Sequence, residues 1–121
     1  MTAPTPSLLG RWQMTRAEFN GDAAPELVAQ RTQLTFTATT YNVRFDGEEM
    51  DRGRYELTAD LASKTLTLHG DVGPNAGRTI PCIYQLVGDR LRICFGLSGV
   101  SPTDFSTAPE QERYLASYRR L

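Results

Sequence analysis

The chain has 121 residues, the size of one domain, and 40% hydrophobic against 22% charged residues, with 10 Gly and 7 Pro, describe an ordinary globular protein. Thirteen Lys+Arg against fourteen Asp+Glu leave a net charge of -1, without the basic excess that binding to nucleic acid or an anionic membrane surface would need. The N-terminal MTAPTPSLLG lacks the basic start and apolar run of a secretory signal, and no stretch approaches the ~20 apolar residues that span a bilayer, so the expected location is cytoplasmic.

Residues 1–7 are Pro-rich and polar and read as a disordered lead-in, which leaves 8–121 for a single folded unit. From there, alternating segments broken by turn residues about every ten positions predict an antiparallel all-β domain of eight strands. The first runs from about Leu8 to Phe19 and closes at Asn20-Gly21. Asp22 as a cap, Pro25 near a start and the Leu27-Val28 patch predict one short helix across an end of the barrel. The second strand, Arg31 to Ala38, sets Leu34 and Phe36 on one face, and Tyr41, Val43 and Phe45 mark the third. Asp46-Gly47 is a hairpin signal, because both residues tolerate positive φ. Gly53, Tyr55 and Leu57 are in phase on the fourth strand, Leu66 and Leu68 carry the fifth, and Asp71 to Gly77 is a turn.

The clearest hairpin is Cys82 to Phe95, where a two-residue Gly88-Asp89 loop sets Leu86 opposite Leu91 and Tyr84 opposite Ile93. Pro81, which has no N–H, belongs at the start of its strand or on an edge. In Gln111 to Leu121, Tyr114, Ala116 and Tyr118 alternate as in a strand, while Tyr114, Tyr118 and Leu121 also fit a helical stripe. The strand is favoured, since an eighth strand lets the sheet close.

Gly10-Arg11-Trp12 at the head of the first strand carries a Gly-x-Trp signature. It is followed in order by Ala17-Glu18-Phe19-Asn20-Gly21, Gly53-Arg54-Tyr55-Glu56-Leu57, Gly77-Arg78-Thr79, the run from Ile83 to Phe95, and Pro102-Thr103-Asp104-Phe105. Over about residues 8 to 120 the chain resembles the lipocalin-like domain family first catalogued in Planctomycetes. Ser101 stands where that family usually has Arg, and Pro81 and Cys82 replace residues that are usually aliphatic. The resemblance implies an up-and-down barrel, brings no activity with it, and places an Arg from the barrel's end across the Trp12 indole. Arg119 is grouped with Gly10 and Trp12 in this structural role, Arg120 being the other candidate.

Little in the sequence suggests catalysis. His69 faces away from Leu66 and Leu68 and is expected in solvent. One His and two unpatterned Cys are poor material for a zinc site. Cys82 and Cys94 share a hairpin but point to opposite faces, with Cys82 inside, so both are expected as free thiols. The acidic run Asp46 to Asp51 reads as a solvated turn balanced by Arg44, Arg52 and Arg54. Glu18 falls in phase with Trp12 and Met14 unless a bulge intervenes, in which case it leaves the interior.

The bulk of the inward set (Trp12, Met14, Leu34, Phe36, Tyr41, Val43, Phe45, Tyr55, Leu57, Leu66, Leu68, Tyr84, Leu86, Leu91, Ile93 and Phe95) favours a filled core with a small mouth pocket over a wide cup. The functional expectation is a non-enzymatic, cofactor-free and metal-free binding module for a small, mostly apolar molecule. Tyr55, Tyr84, Phe95, Phe36 and Tyr41 are the candidate ligand residues, with Tyr55 and Tyr84 as polar groups at mid-height. The alternative is a protein-interaction module, such as a cytosolic immunity or inhibitor protein that neutralises a toxin. Its contact residues would lie in exposed loops around Asp46-Gly47 or Pro102 to Phe105.

Overall fold

The computed structural model describes residues 8–57 and 64–121; the expected lead-in, residues 1–7, lies outside them. Among the described residues nine strands form one antiparallel sheet: β1 (Gly10–Phe19), β2 (Asp22–Ala23), β3 (Thr32–Phe36), β4 (Thr40–Phe45), β5 (Glu48–Leu57), β6 (Thr65–Val72), β7 (Thr79–Val87), β8 (Arg90–Gly96) and β9 (Arg113–Arg120). The eight longer strands neighbour one another in chain order, and β1 pairs back onto β9, so the sheet closes into a lipocalin-like up-and-down barrel. Closure pairs each long strand with a neighbour on both sides over part of its length, which reduces the free edge open to another chain. β2 is a two-residue flap on the end of β1, formed as the chain reverses through Asn20 and Gly21 at φ of 49° and 90°.

The alternation of side chains lies behind most of this. Trp12, Met14, Leu34, Phe36, Tyr41, Leu66, Leu68, Leu91 and Ile93 are all buried. The Cys82–Phe95 hairpin has the expected register, Leu86 opposite Leu91 and Tyr84 opposite Ile93. Asp46 and Gly47, at φ of 54° and 85°, make the tight turn between β4 and β5. The C-terminal segment is a strand: Ala116 and Tyr118 face inward and are buried, and Tyr114 packs beside them. Leu57, by contrast, is 46% exposed, because it sits at the last position of β5.

One irregularity decides the geometry of the first strand. β1 changes register against β9 between Met14 and Arg16, so Ala17 rather than Arg16 follows Met14 into the core and Glu18 turns outward. β1 pairs with β3 only through residues 10–13. The single helix among the described residues, α1 (Glu26–Arg31), packs against β1 as the two strands part, burying Ala29. The Gln13 amide donates to the carbonyls of Ala29 and Gln30 at 3.0 Å each and so ties the last turn of the helix to β1, the Ala29 carbonyl accepting also from the Thr32 N–H. Asp22 does not cap this helix: it is held in β2, and Pro25 takes the cap position with no side-chain bond. The expected apolar patch is also displaced, since Leu27 is 54% exposed and Ala29 makes the inward contact.

Pro81 lies inside β7, opposite Thr67 of β6, rather than at the strand's first residue. The Tyr84 N–H donates to Lys64 on the β6 side, so alternation turns the N of residue 81 toward β8. There the ladder begins only at Cys82, and no strand bond is lost.

Residues 97–112, which join β8 to β9, fold back over the outer face of β8. Arg92 lies 4.0 Å from the centre of the Phe105 ring, Arg113 Nη1 donates to Asp104 at 2.9 Å, and Thr107 Oγ1 donates to Glu18 at 2.7 Å. Pro102 is buried. The Pro102 to Phe105 segment, expected as a free loop, is therefore an anchored strap. It also accounts for Cys94, which points outward as expected and is nevertheless fully buried, its Sγ 4.0 Å from the Ser106 carbonyl. Both cysteines are free thiols, and burial pushes both pKa values up.

Candidate functional site

The barrel interior divides into a sealed part and a hollow part. In the sealed part Trp12 is completely buried, and its indole N–H donates to the Leu8 carbonyl at 2.9 Å. The guanidinium over its ring, 4.3 Å from the centre, is that of Arg120. Arg119, the residue assigned this role from the sequence, lies one position out of phase. It is exposed and sits opposite Gln13, because alternate residues of β9 face opposite sides of the sheet. Arg120 is fixed further by a 2.8 Å bond to the Leu9 carbonyl and by Asp89 at 3.9 Å. Gly10 starts this strand at φ +118°, a backbone conformation that favours glycine, and the Arg120 guanidinium lies close beside it.

The hollow part is a cavity of about 270 Å³, with Met14, Leu34, Phe36, Val43, Ile80 and Phe95 among its apolar walls. Three of the five candidate ligand residues, Phe36, Tyr41 and Phe95, line it. Tyr55 and Tyr84 do not. Tyr55 backs Phe36 edge-on at 4.9 Å and spends its hydroxyl on the Thr37 carbonyl at 2.6 Å. Tyr84 pairs with Ile93 a full repeat away from Phe95, toward the Gly88 turn. Strand stagger around the barrel places these two tyrosines away from the cavity rather than at its mid-height.

The polar groups of the cavity are ones that sequence reasoning did not pick. Asp51, expected in a solvated turn, is 8% exposed and faces inward, two residues before Gly53 on the same face of β5. That i, i+2 spacing to Gly53 and Tyr55 was the available signal. Asn75 Nδ2 donates to Asp51 Oδ2 at 2.9 Å, Arg78 Nη1 donates to Asn75 Oδ1 at 3.2 Å, and Arg78 Nη2 donates to the Leu97 carbonyl. The close approach of the β6–β7 turn depends on Gly70, where a Cβ would fall 1.9 Å from the Asn75 carbonyl oxygen. No periodicity announces a contact made by a turn.

Two buried polar atoms of this cavity have no partner among the described residues: Asp51 Oδ1 and the Tyr41 hydroxyl. Burial, followed by the Asp51 carboxylate, pushes the Tyr41 pKa up to about 12. The Asp51 carboxyl is itself raised by burial, an effect reduced by the Asn75 side chain and the Arg52 backbone N–H.

A second concavity, about 590 Å³, lies over β7, β8, β9 and the β1 bulge, lined by Thr15, Gln85, Arg90, Arg92, Ser117 and Arg119 with Val87, Leu91 and Tyr118. Arg90 and Arg119 are direct cross-strand partners, a like-charge placement that costs stability. Arg92 shares their face and bonds Gln85 Oε1 at 2.9 Å. His69 stands elsewhere, half-buried between Thr79 (3.4 Å) and Glu56 (3.8 Å). Among the described residues no three or more His, Cys, Asp and Glu side chains are grouped to hold a metal ion, and no helix is long and apolar enough to cross a membrane.

No protein-family model, curated protein or solved structure matches the chain.

Proposed function

We propose that this lipocalin-like protein is a non-enzymatic, cytoplasmic binding module that takes a small, mostly apolar molecule into the cavity beside Tyr41 and Asp51. One observation carries the reading: an apolar cavity of about 270 Å³ retains two buried polar atoms without partners. Each such atom costs roughly 1–3 kcal/mol unless something bonds to it. A ligand that fills the cavity and meets those atoms removes this cost. An apolar cavity of about 150 Å³ accepts benzene, so this one suits a molecule of roughly ten heavy atoms.

The test is titration of the folded protein with an apolar fluorescent probe of that size. Binding to the wild type, its loss in Val43→Phe and its retention in Tyr84→Ala are expected, with an unchanged β-sheet circular dichroism spectrum in both variants. Absence of probe binding to the wild type sinks the ligand reading.

A second reading, a protein-interaction module such as an immunity or inhibitor protein, draws on the arginine-lined groove. Arg90, Arg92 and Arg119 make no ion pair among the described residues, and their repulsion would be relieved by an acidic surface of a partner. On that reading Arg90→Glu abolishes partner binding and Val43→Phe leaves it intact. A near-neutral net charge supports the absence of nucleic acid and membrane partners from both readings.

A further inference from the structure

The unpartnered atoms also bear on which molecule fits. Asp51 Oδ1, as a carboxylate oxygen, can only accept a hydrogen bond, and the other oxygen of the same carboxylate is already engaged by Asn75. The Tyr41 hydroxyl can donate or accept. No cationic side chain forms an ion pair with Asp51 among the described residues; Arg78, the cation nearest in the network, is turned to the Asn75 amide oxygen and the Leu97 carbonyl. The nearby charges acting on the Tyr41 hydroxyl are the carboxylates of Asp51 and Asp71, both of which disfavour its anion. The cavity thus presents a buried carboxylate oxygen and a hydroxyl set against an aromatic and aliphatic wall, with Arg78 at its lining but committed to Asn75 and Leu97 rather than to Asp51.

Resting on the ligand reading above, we infer that the molecule held here is a small amphipathic amine. Its protonated amino group donates to Asp51 Oδ1 and to the Tyr41 oxygen, and its apolar body lies against Leu34, Phe36 and Phe95. The ammonium supplies what Asp51 lacks among the described residues: a donor to Oδ1 and an ion-pair partner that compensates a carboxylate taken out of water. A neutral alcohol offers one donor and no charge. A carboxylic acid, ionised at neutral pH, adds a second negative charge beside Asp51 and is rejected. The size of the cavity excludes long acyl chains and favours an arylalkyl or short branched body.

The experiment uses the full chain and four probes of matched shape, 2-phenylethylamine, 2-phenylethanol, phenylacetate and ethylbenzene, followed by calorimetry and by chemical-shift changes of the protein. The amine is expected to bind about tenfold or more tightly than the alcohol, the worth of one charge-assisted hydrogen bond, and phenylacetate is expected not to bind. Asp51→Asn should bring the amine down to the affinity of the alcohol while ethylbenzene binding persists. Tyr41→Phe should lower amine affinity by a smaller factor. Equal binding of amine and alcohol to the wild type, or an amine preference that survives in Asp51→Asn, overturns the inference and leaves the cavity reading standing. If none of the four probes binds, the cavity reading falls and this inference falls with it.

Discussion

The Trp12 part of the barrel and the Tyr41–Asp51 part are built from the same inward-facing strand positions, yet they treat their polar atoms in opposite ways. Around Trp12 the volume is taken by one large side chain, the indole N–H has the Leu8 carbonyl, and Arg120 covers the ring. Around Tyr41 the volume is left open, and Asp51 Oδ1 and the tyrosine hydroxyl have no partner among the described residues. A buried polar group without a hydrogen bond destabilises the fold, so the contrast separates a part whose indole is matched within the chain from a part that, on the proposed ligand reading, is matched by a bound molecule.

The largest effect that would sharpen this comparison is expected at Trp12. Trp12→Ala deletes a fully buried aromatic and the surface on which Arg120 stacks, and it should lower unfolding free energy by about 3 to 5 kcal/mol in a urea titration. A variant of near-native stability would mean that the sealed part is not what holds the barrel shut.

A smaller effect separates the two arginines. Arg120→Ala loses the cation–π contact and the bond to Leu9 and should cost about 0.5 to 2 kcal/mol, whereas Arg119→Ala should stay within about 0.5 kcal/mol. Because Arg119 faces Arg90 across the strands, its removal relieves a repulsion and can be slightly stabilising. Equal losses at the two positions would erase the distinction between a stacked and a free guanidinium.

The sealed part was the more legible in the sequence, for a physical reason. Trp12, Leu91 and Ile93 sit on strands whose period of two shows directly which side is inside, and the Asp46-Gly47 and Gly88-Asp89 turns set the register of the hairpins. The bulge after Met14 was foreseeable only as a condition on Glu18, because a single added residue leaves no compositional trace. Arg119 and Arg120 are adjacent and chemically identical, and only the register of β9 against β1 tells them apart. The hollow part depends on a contact between distant segments, Asn75 reaching Asp51 from a turn, and outside the barrel the strap at Phe105 and Ser106 likewise covers Arg92 and Cys94 from a loop. Tyr55 and Tyr84 looked like ligand residues because they alternate inward. Their height in the barrel is set by strand stagger, which alternation does not report.

The smallest effect concerns the pH dependence of the hollow part. Burial raises the Asp51 carboxyl above its ordinary value, so the folded protein binds that proton more tightly than the unfolded chain. Stability linked to this group is therefore fully present below the unfolded value of about 4 and declines as pH rises through the folded value. Asp104 has the opposite slope, since bonds from Ser106 and Arg113 hold its carboxyl low, and the wild-type curve mixes the two. Comparison of Asp51→Asn with the wild type isolates the buried group. The variant should be the more stable at pH 7, by on the order of 1 kcal/mol or less, and the difference should shrink toward pH 3 as Asp51 is protonated in both folded and unfolded chains. Thermal unfolding of both proteins between pH 3 and pH 7 measures that difference directly. A destabilised variant at pH 7 would show that the Asp51 charge already has a compensating partner in the free protein, and the contrast between the two parts of the barrel would then rest on cavity volume alone.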